Sequence, residues 1–306
     1  MLFQSIVCGM CGSRSFPGNL SITVQKISAY IPAYNNAATL PLALASIRAQ
    51  NVAIDELFVV DDGSTDGSDA LVESLGIKLL RQPRNMGRGA ARARAMKEAS
   101  NEWVLCCDAT NVLPPEFVSN AAKWFDDANV AAVFGRITQP QARNVVERWR
   151  GRHLFRLNTP LSLSRKAALM TGATLVRRSL VLAAGNFDAS LIRNEDADLG
   201  KRLLLHHDVI FDPELKFMSI AHNTLSQVLE RYWRWNEPIR KRLGFREYLK
   251  AIFYSIKVLA RHDLKDRDPL SVPISLLCPH VQFFRSRSRL SETNPRTSVP
   301  CGDSVR

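Results

Sequence analysis

No run of 18 or more apolar residues occurs anywhere in this 306-residue chain, so a membrane-spanning helix is not expected. Cysteine is scarce: six residues, at 8, 11, 106, 107, 278 and 301, are too few and too scattered for a disulfide framework in a chain this long. Cys106 and Cys107 lie side by side in an apolar run and read as reduced thiols, and the Cys8–Cys11 pair lacks the second pair that a four-ligand zinc site needs. The first residues, "MLFQSIVCGMCGSRSFPGNL", have no basic n-region, sustained apolar core or cleavage site, so residues 1–25 read as a disordered or loosely attached lead of a cytoplasmic protein. Acids are the minority charge, 29 against 41 Lys and Arg, for a formal net charge of +12. Such a balance suits a polyanion. A nucleic-acid partner is nevertheless not expected, because no recognition motif or interleaved stacking aromatics accompany the bases.

What is present is a globular composition, 46% hydrophobic and 23% charged, with strands alternating with helices. "KISAYIPAY" (26–34) reads as a strand, and "AATLPLALASIRAQ" (37–50) carries Leu40, Leu44 and Ile47 at helical spacing. "ELFVV" (56–60) is a second strand, followed by the helix "TDGSDALVESLG" and the strand "IKLLRQ". Then come the helix "NMGRGAARARAMKEAS" (85–100) and the strand "EWVLCCD" (102–108). Nearly continuous apolar strands in this rhythm predict a Rossmann-like α/β fold, a mostly parallel sheet with helices on both faces. Ligands bind such sheets beyond the carboxyl ends of the strands. Asp61, Asp62 and Asp108 fall at those ends, where three carboxylates converge on one crevice. Ser64, Thr65 and Asp66 in "DDGSTDGS" read as ordinary turn and capping residues. Adjacent Asp61 and Asp62 repel one another unless a cation or hydrogen-bond donors face them.

Four blocks, "IPAYNNAATLPLALASI", "VVDDGSTDGS", "NMGRGAARARAMKEASNEWVLCCDA" and "GNFDASLIRNEDADLGKRL", follow one another in the order and spacing of the family-2 glycosyltransferases of GT-A fold. The resemblance covers residues 26–235 and implies an inverting sugar transferase using a nucleotide-activated donor, often a uridine diphosphate sugar. It divides residues 26–225 into a nucleotide-sugar half (26–112) and an acceptor half (113–225). It also implies that Pro32, Tyr34 and Asn35 lie along the nucleotide and that Asp61 or Asp62 accepts from the base or ribose. The family's D-x-D falls on Asp108, Ala109 and Thr110, so the second acid is missing. A divalent cation, Mn2+ or Mg2+, would then be held by Asp108 with help from His222, or be replaced. The candidate replacements are Arg81, Arg84, Arg88 and Arg92, although Arg88 and Arg92, one turn apart, each read as a solvated helix face when taken singly.

Glu195, Asp196 and Asp198 crowd the first turn of a helix, where acids are stabilised by the free amides and the dipole. The resemblance implies that Asp196 is the catalytic base, with Glu195 and Asp198 on the acceptor side. His222 is either a structural hydrogen-bonding residue or a diphosphate-side ligand. "QVLERYWRW" (227–235) departs from the Q-x-x-R-W of processive synthases, because Arg231 lies four residues after Gln227, and one sugar per reaction is expected. A scaffold or sugar-nucleotide-binding protein without activity is the alternative; the missing acid favours it and the intact "NEDAD" opposes it.

Residues 226–285 differ in kind. Between 231 and 261, nine Lys and Arg stand against Glu237 and Glu247, supplying +7 of the formal +12. Phe245, Tyr248, Leu249, Ile252, Phe253, Ile256 and Leu259 recur at helical spacing opposite Arg246, Lys250 and Lys257. This basic amphipathic extension either packs internally or lies on an anionic membrane surface, making the protein peripheral on the inner face. Pro269, Pro273 and Pro279 are expected to break the apolar stretch 268–284. Residues 286–306 read as a disordered tail. Arg143, Arg148, Arg150, Arg152 and Arg156 suggest an anionic or lipid-phosphate-linked saccharide as acceptor.

Overall fold

The computed structural model describes residues 25–236 and 243–288. The Cys8–Cys11 pair, the N-terminal lead and the tail from residue 289 onward lie outside the described residues. The chain runs β1 (Ile27–Ala33), α1 (Leu40–Arg48), β2 (Glu56–Asp61), α2 (Ser68–Ser74), β3 (Lys78–Arg81), α3 (Arg88–Glu98), β4 (Trp103–Cys107), β5 (Asn111–Val112), α4 (Phe117–Ala121) and β6 (Val130–Thr138). It continues through α5 (Val145–His153), β7 (Ala173–Arg177), α6 (Arg178–Ala183), α7 (Glu195–Leu203), β8 (Asp208–Ser219) and α8 (Leu225–Asn236). After the undescribed 237–242 come α9 (Phe245–Tyr254), a wide π turn (Ser255–Ala260), α10 (Arg261–Lys265) and α11 (Val272–Ser288).

Eight strands form one sheet in the order β3-β2-β1-β4-β7-β6-β8-β5. The β3-β2-β1-β4 half is parallel, as the alternating pattern predicts, with Ala33 opposite Asp61 and Tyr30 opposite Cys106. The other half is mixed: β7 runs antiparallel to both β4 and β6, and β5 antiparallel to β8, while β6 and β8 are parallel. Side chains alternate across the pleat. Ile27, Ala29 and Ile31 of β1 with Trp103 and Leu105 of β4 enter a core closed by Leu40, Leu44, Val72 and Phe117. Tyr30, Phe58 and Val104 enter the opposite core, closed by Ala91, Ala95, Met96, Val181 and Leu199. Both faces of the sheet are covered, and the carboxyl ends of β2, β1 and β4 stand side by side.

The C-terminal helices are joined to the second half of the sheet domain by a third core, in which Trp149, Leu154 and Phe155 meet Val228, Leu229, Tyr232, Leu259, Ile274 and Cys278. Ion pairs surround it. Arg148 binds Asp268 through Nε and Nη2 at 2.9 Å each, and Arg152 reaches Asp263 (2.6 Å), Asp266 (2.9 Å) and Asp268 (3.1 Å). This narrows the reading of the arginine-rich segment as an anionic-acceptor site: two of its five arginines, Arg148 and Arg152, are consumed in docking the extension. Arg150 is likewise buried, donating to Gln139, to the Ala221 carbonyl and to Asn223.

The expected break at the prolines is also corrected. Helix α11 runs through Pro279. A proline there lacks the N–H that would bond the Ser275 carbonyl. The Ser255 hydroxyl supplies it instead, donating to that carbonyl at 2.6 Å from the neighbouring π turn.

Candidate active site

The site begins where β1 and β2 leave the sheet. Asn35 takes a left-handed backbone, φ 53°, which Asn tolerates better than most residues. Its amide donates to Ser64 Oγ at 3.0 Å, and its side-chain oxygen accepts from the Thr65 amide at 2.8 Å. Asp66 accepts from the Ala37 amide at 2.9 Å, and Ser68 Oγ from the Asn36 amide at 3.0 Å. The hydroxyls and acid after Asp62 thus splice the β1 loop to the β2 loop, beyond the local turn role expected of them. Pro32 and Tyr34 flank this splice, and Tyr34 is exposed.

The two acids of "DD" have different tasks. Asp62 accepts from Gln82 Nε2 (2.6 Å), the Met86 amide (2.7 Å) and the Gly87 amide (2.9 Å), so its carboxylate holds the loop that feeds α3. Burial pushes its pKa above the usual aspartate value, and those three donors oppose the shift. Among the described residues Asp61 accepts only two long contacts from the Ser64 amide, at 3.2 and 3.3 Å. It therefore keeps acceptor capacity for a ligand. Gly63, directly after the two acids, has no room for a Cβ: φ is +77°, and an added Cβ would sit 2.7 Å from the Arg84 carbonyl carbon.

At the centre lies Arg92, which is 1% exposed. Its Nη2 meets Asp108 Oδ1 at 2.8 Å and its Nε meets Glu195 Oε1 at 3.2 Å. The solvated-face reading of Arg92 is thereby corrected. One guanidinium bolts the end of β4 to the start of α7, the two halves of the site. Burial disfavours the Arg92 charge, yet the carboxylates of Asp108 and Glu195 outweigh it and hold the group protonated. The signal in the sequence was the company Arg92 keeps: Ala91, Ala93, Ala95 and Met96 around it on α3 are all buried.

Helix α7 starts from Asn194, left-handed at φ 60°. Of its first-turn acids, Glu195 is buried against Arg92, and Asp198 is salt-bridged to Arg202 at 2.6 Å. Asp196 is half-buried, and among the described residues its Oδ1 accepts only from the Ala197 amide, at 2.8 Å. Ala109 is buried behind Asp108. Arg88 is exposed at the start of α3, whereas Arg81 turns away to Asp69 (3.4 Å) and Glu73 (2.8 Å).

The fold that sets a crevice at the ends of β1, β2 and β4, faced by acids on a helix from the second half, is shared with known proteins. The model of glycosyl transferase family 2 matches residues 28–183, just over half of the chain. The chain belongs to that family. An N-acetylglucosaminyltransferase of Mesorhizobium japonicum is 26% identical over 288 residues, covering 84% of this chain and 66% of that protein. A poly-beta-1,6-N-acetyl-D-glucosamine synthase of Staphylococcus epidermidis is 22% identical, covering 76% of this chain and 57% of its own length. The chain thus spans under two thirds of each of these relatives. Among solved structures, a mannosyltransferase of Pyrobaculum calidifontis in complex with GDP-Man and Mn2+ superposes with a TM-score of 0.57 at 18% identity, covering 89% of this chain and 81% of that one. S. aureus TarS 1-349 with UDP-GlcNAc gives 0.55 at 18% identity, covering 88% and 76%. These likenesses establish the GT-A fold.

Whether the residues of this chain suit a divalent cation is decided by the donors around Asp108. Hard cations want several anionic oxygens. Asp108 already accepts from Arg92, the second acid is replaced by Thr110, and the Asn111 amide is spent on the Gly172 carbonyl at 2.7 Å. His222, expected to help, has an exposed ring set against the Arg143 guanidinium and 3.5 Å from Glu147 Oε1. These residues line a cleft of about 130 Å³ with Pro140, Arg150 and Ala221. Among the described residues, no group of three His, Cys, Asp or Glu side chains is placed to hold a metal ion. The set does not fit a cation.

Cations of the protein's own stand there instead. Arg231 of α8 is half-buried, has no carboxylate hydrogen-bonded to it among the described residues, and lies 6.0 Å from the Trp235 ring. Burial, then the like charges of Arg150, Arg234 and Arg88, pull its pKa down to about 10, with Asp108 opposing. A half-buried guanidinium crowded by like charges favours an added negative charge.

The loop fastened by Asp62 gives a direct prediction. Asp62→Ala leaves the Met86 and Gly87 amides without their acceptor, and we expect a loss of about 1–3 kcal/mol or more in urea unfolding. Asp61→Ala, which strips only two long contacts, is expected to change stability less and nucleotide binding more.

Proposed function

We propose that this glycosyltransferase moves one sugar from a uridine diphosphate sugar to a hydroxyl of a saccharide or lipid-linked acceptor, with inversion and without processive polymerisation. The observation that carries this reading is the fate of the three acids on α7: Glu195 and Asp198 are committed to arginines, and Asp196 is not. In a single displacement the acceptor oxygen attacks the anomeric carbon as its proton passes to the Asp196 carboxylate. The bond from that carbon to the diphosphate oxygen breaks, and the electron pair leaves with the nucleoside diphosphate. Asp61 and the Tyr34–Asn35 loop receive the base and ribose. Asp108, oriented by Arg92, faces the ribose side of the donor. The relatives named for N-acetylglucosamine transfer and the UDP-GlcNAc bound to TarS favour uridine over guanosine.

The charge on the departing diphosphate is met by Arg231 and Arg88 rather than by a metal, since the donor set at Asp108 does not suit one. Electrostatic stabilisation of developing charge by fixed donors is usually the largest catalytic contribution. The decisive measurement is thermal stabilisation by UDP in EDTA and in manganese. A ligand at about a hundred times its dissociation constant adds roughly 2.7 kcal/mol. We expect the shift without metal, its loss in Arg231→Gln, and transfer activity that survives EDTA. A shift that requires manganese overturns the arginine assignment, and no shift with any nucleoside diphosphate returns the protein to the scaffold reading.

A further inference from the structure

The apolar positions spaced along residues 245–259 do not form the single stripe that the sequence suggests. Tyr248 turns inward, stacking on Phe283 at 4.2 Å and sharing a 2.7 Å hydrogen bond with His280 Nδ1, while Ser255 and Leu259 are buried. Phe245, Leu249, Phe253 and Ile256 turn outward and are 65, 49, 63 and 50% exposed. At 3.6 residues per turn these four lie along one face of the helix. Leu264 at 59% and Leu270 at 71% carry large exposed apolar groups onward toward α11. Internal packing therefore accounts for one face of this helix and leaves the other open.

Beside that stripe lie Arg246, Lys250, Lys257, Arg261 and Lys265, all exposed. Among the described residues none of the five is ion-paired, although Lys257 Nζ lies 5.8 Å from the Phe253 ring centroid. The exposed acids of the same stretch are Glu247 and Asp266, and Asp266 is taken by Arg152 at 2.9 Å. Elsewhere on the extension arginines and acids pair closely, so five unmatched cations flanking an aromatic ridge form a surface without an internal counterpart. Its chemistry is that of an interfacial helix, with rings for the acyl boundary and cations for anionic headgroups.

We propose that the outward face of α9 and α10 docks on an anionic lipid bilayer, lying in its interface rather than crossing it. Among the described residues no helix is long and apolar enough to cross a membrane. The rigid attachment of the extension through Arg148, Arg152 and Trp149 then sets the active site at a fixed height and tilt over the lipid. An acceptor anchored in that bilayer would meet the crevice in one orientation. The docking itself is independent of the donor and of the catalytic assignment.

The test is co-sedimentation of the full chain with vesicles of phosphatidylcholine alone and of phosphatidylcholine mixed with phosphatidylglycerol. Binding is expected on the mixed vesicles, falling as salt rises. The pair Lys250→Glu and Lys257→Glu should weaken it at least about tenfold, at roughly fivefold for each cation removed from the surface. Phe245→Ser with Phe253→Ser should weaken it at every salt concentration. All four side chains are exposed, so the thermal midpoint should not move and a folding defect is separable from a binding one. Equal binding to both vesicle types, or no binding to either, overturns the proposal. So does a concentration-dependent dimer in free solution that Phe253→Ser dissociates, because the ridge would then be covered by a second copy.

Discussion

Asp196→Asn is expected to lower sugar transfer by about a hundred- to ten-thousandfold while nucleotide binding persists. The amide is nearly isosteric and can still accept from the Ala197 amide, so α7 should begin as it does now. What disappears is a group able to take the acceptor proton as the new glycosidic bond forms. Neighbouring acids offer no substitute: Glu195 is turned into Arg92 and Asp198 into Arg202. The paired measurement is single-turnover transfer beside UDP-induced thermal stabilisation. Lost transfer with retained stabilisation fits a base. Full transfer removes the mechanism, and loss of both assigns Asp196 to the donor pocket. Asp198→Asn is the internal comparison. It should cost a surface ion pair worth about 0.3–0.5 kcal/mol and leave the chemical step nearly unchanged.

The parallel half of the fold and the placement of acids at strand ends were legible because both follow from local pattern. A buried parallel strand reads as an apolar run, and the residue that ends it lies at the ligand edge of the sheet. The mixed half was not legible, since the antiparallel entry of β7 depends on where a long excursion through α5 brings the chain back. Charge was the weakest guide. Arg92 reads as a helix-surface residue one turn after Arg88, yet exposure separates the two completely. Arg148 and Arg152 look like a ligand site until Asp263, Asp266 and Asp268, more than a hundred residues later, arrive to neutralise them. Pro279 illustrates the same limit. Its helix survives through a hydroxyl from another segment, which no local rule could supply.

Arg92→Met should be the most destabilising single change at the site, by about 3–5 kcal/mol, because it leaves a buried carboxylate without its cation. The thermal midpoint is expected to fall by roughly 5–15 °C for a chain of this size. Lysine should not rescue it, since one ammonium cannot reproduce the fork that reaches Asp108 at 2.8 Å and Glu195 at 3.2 Å together. The sign of the pH dependence separates this account from a simple packing loss. Burial already pushes the Glu195 pKa above the usual glutamate value, and Arg92 is the main force opposing it. With Arg92 gone, the folded protein holds a proton on Glu195 that the unfolded chain releases. Its stability must then fall as pH rises from the unfolded glutamate value through the raised one, relative to the wild type. Adding Glu195→Gln should remove that pH dependence and recover part of the loss, so the double variant is more stable than the sum of the singles requires. Additive losses with parallel pH profiles would mean that Arg92 acts through volume alone and that the β4 and α7 halves of the site are joined by something else.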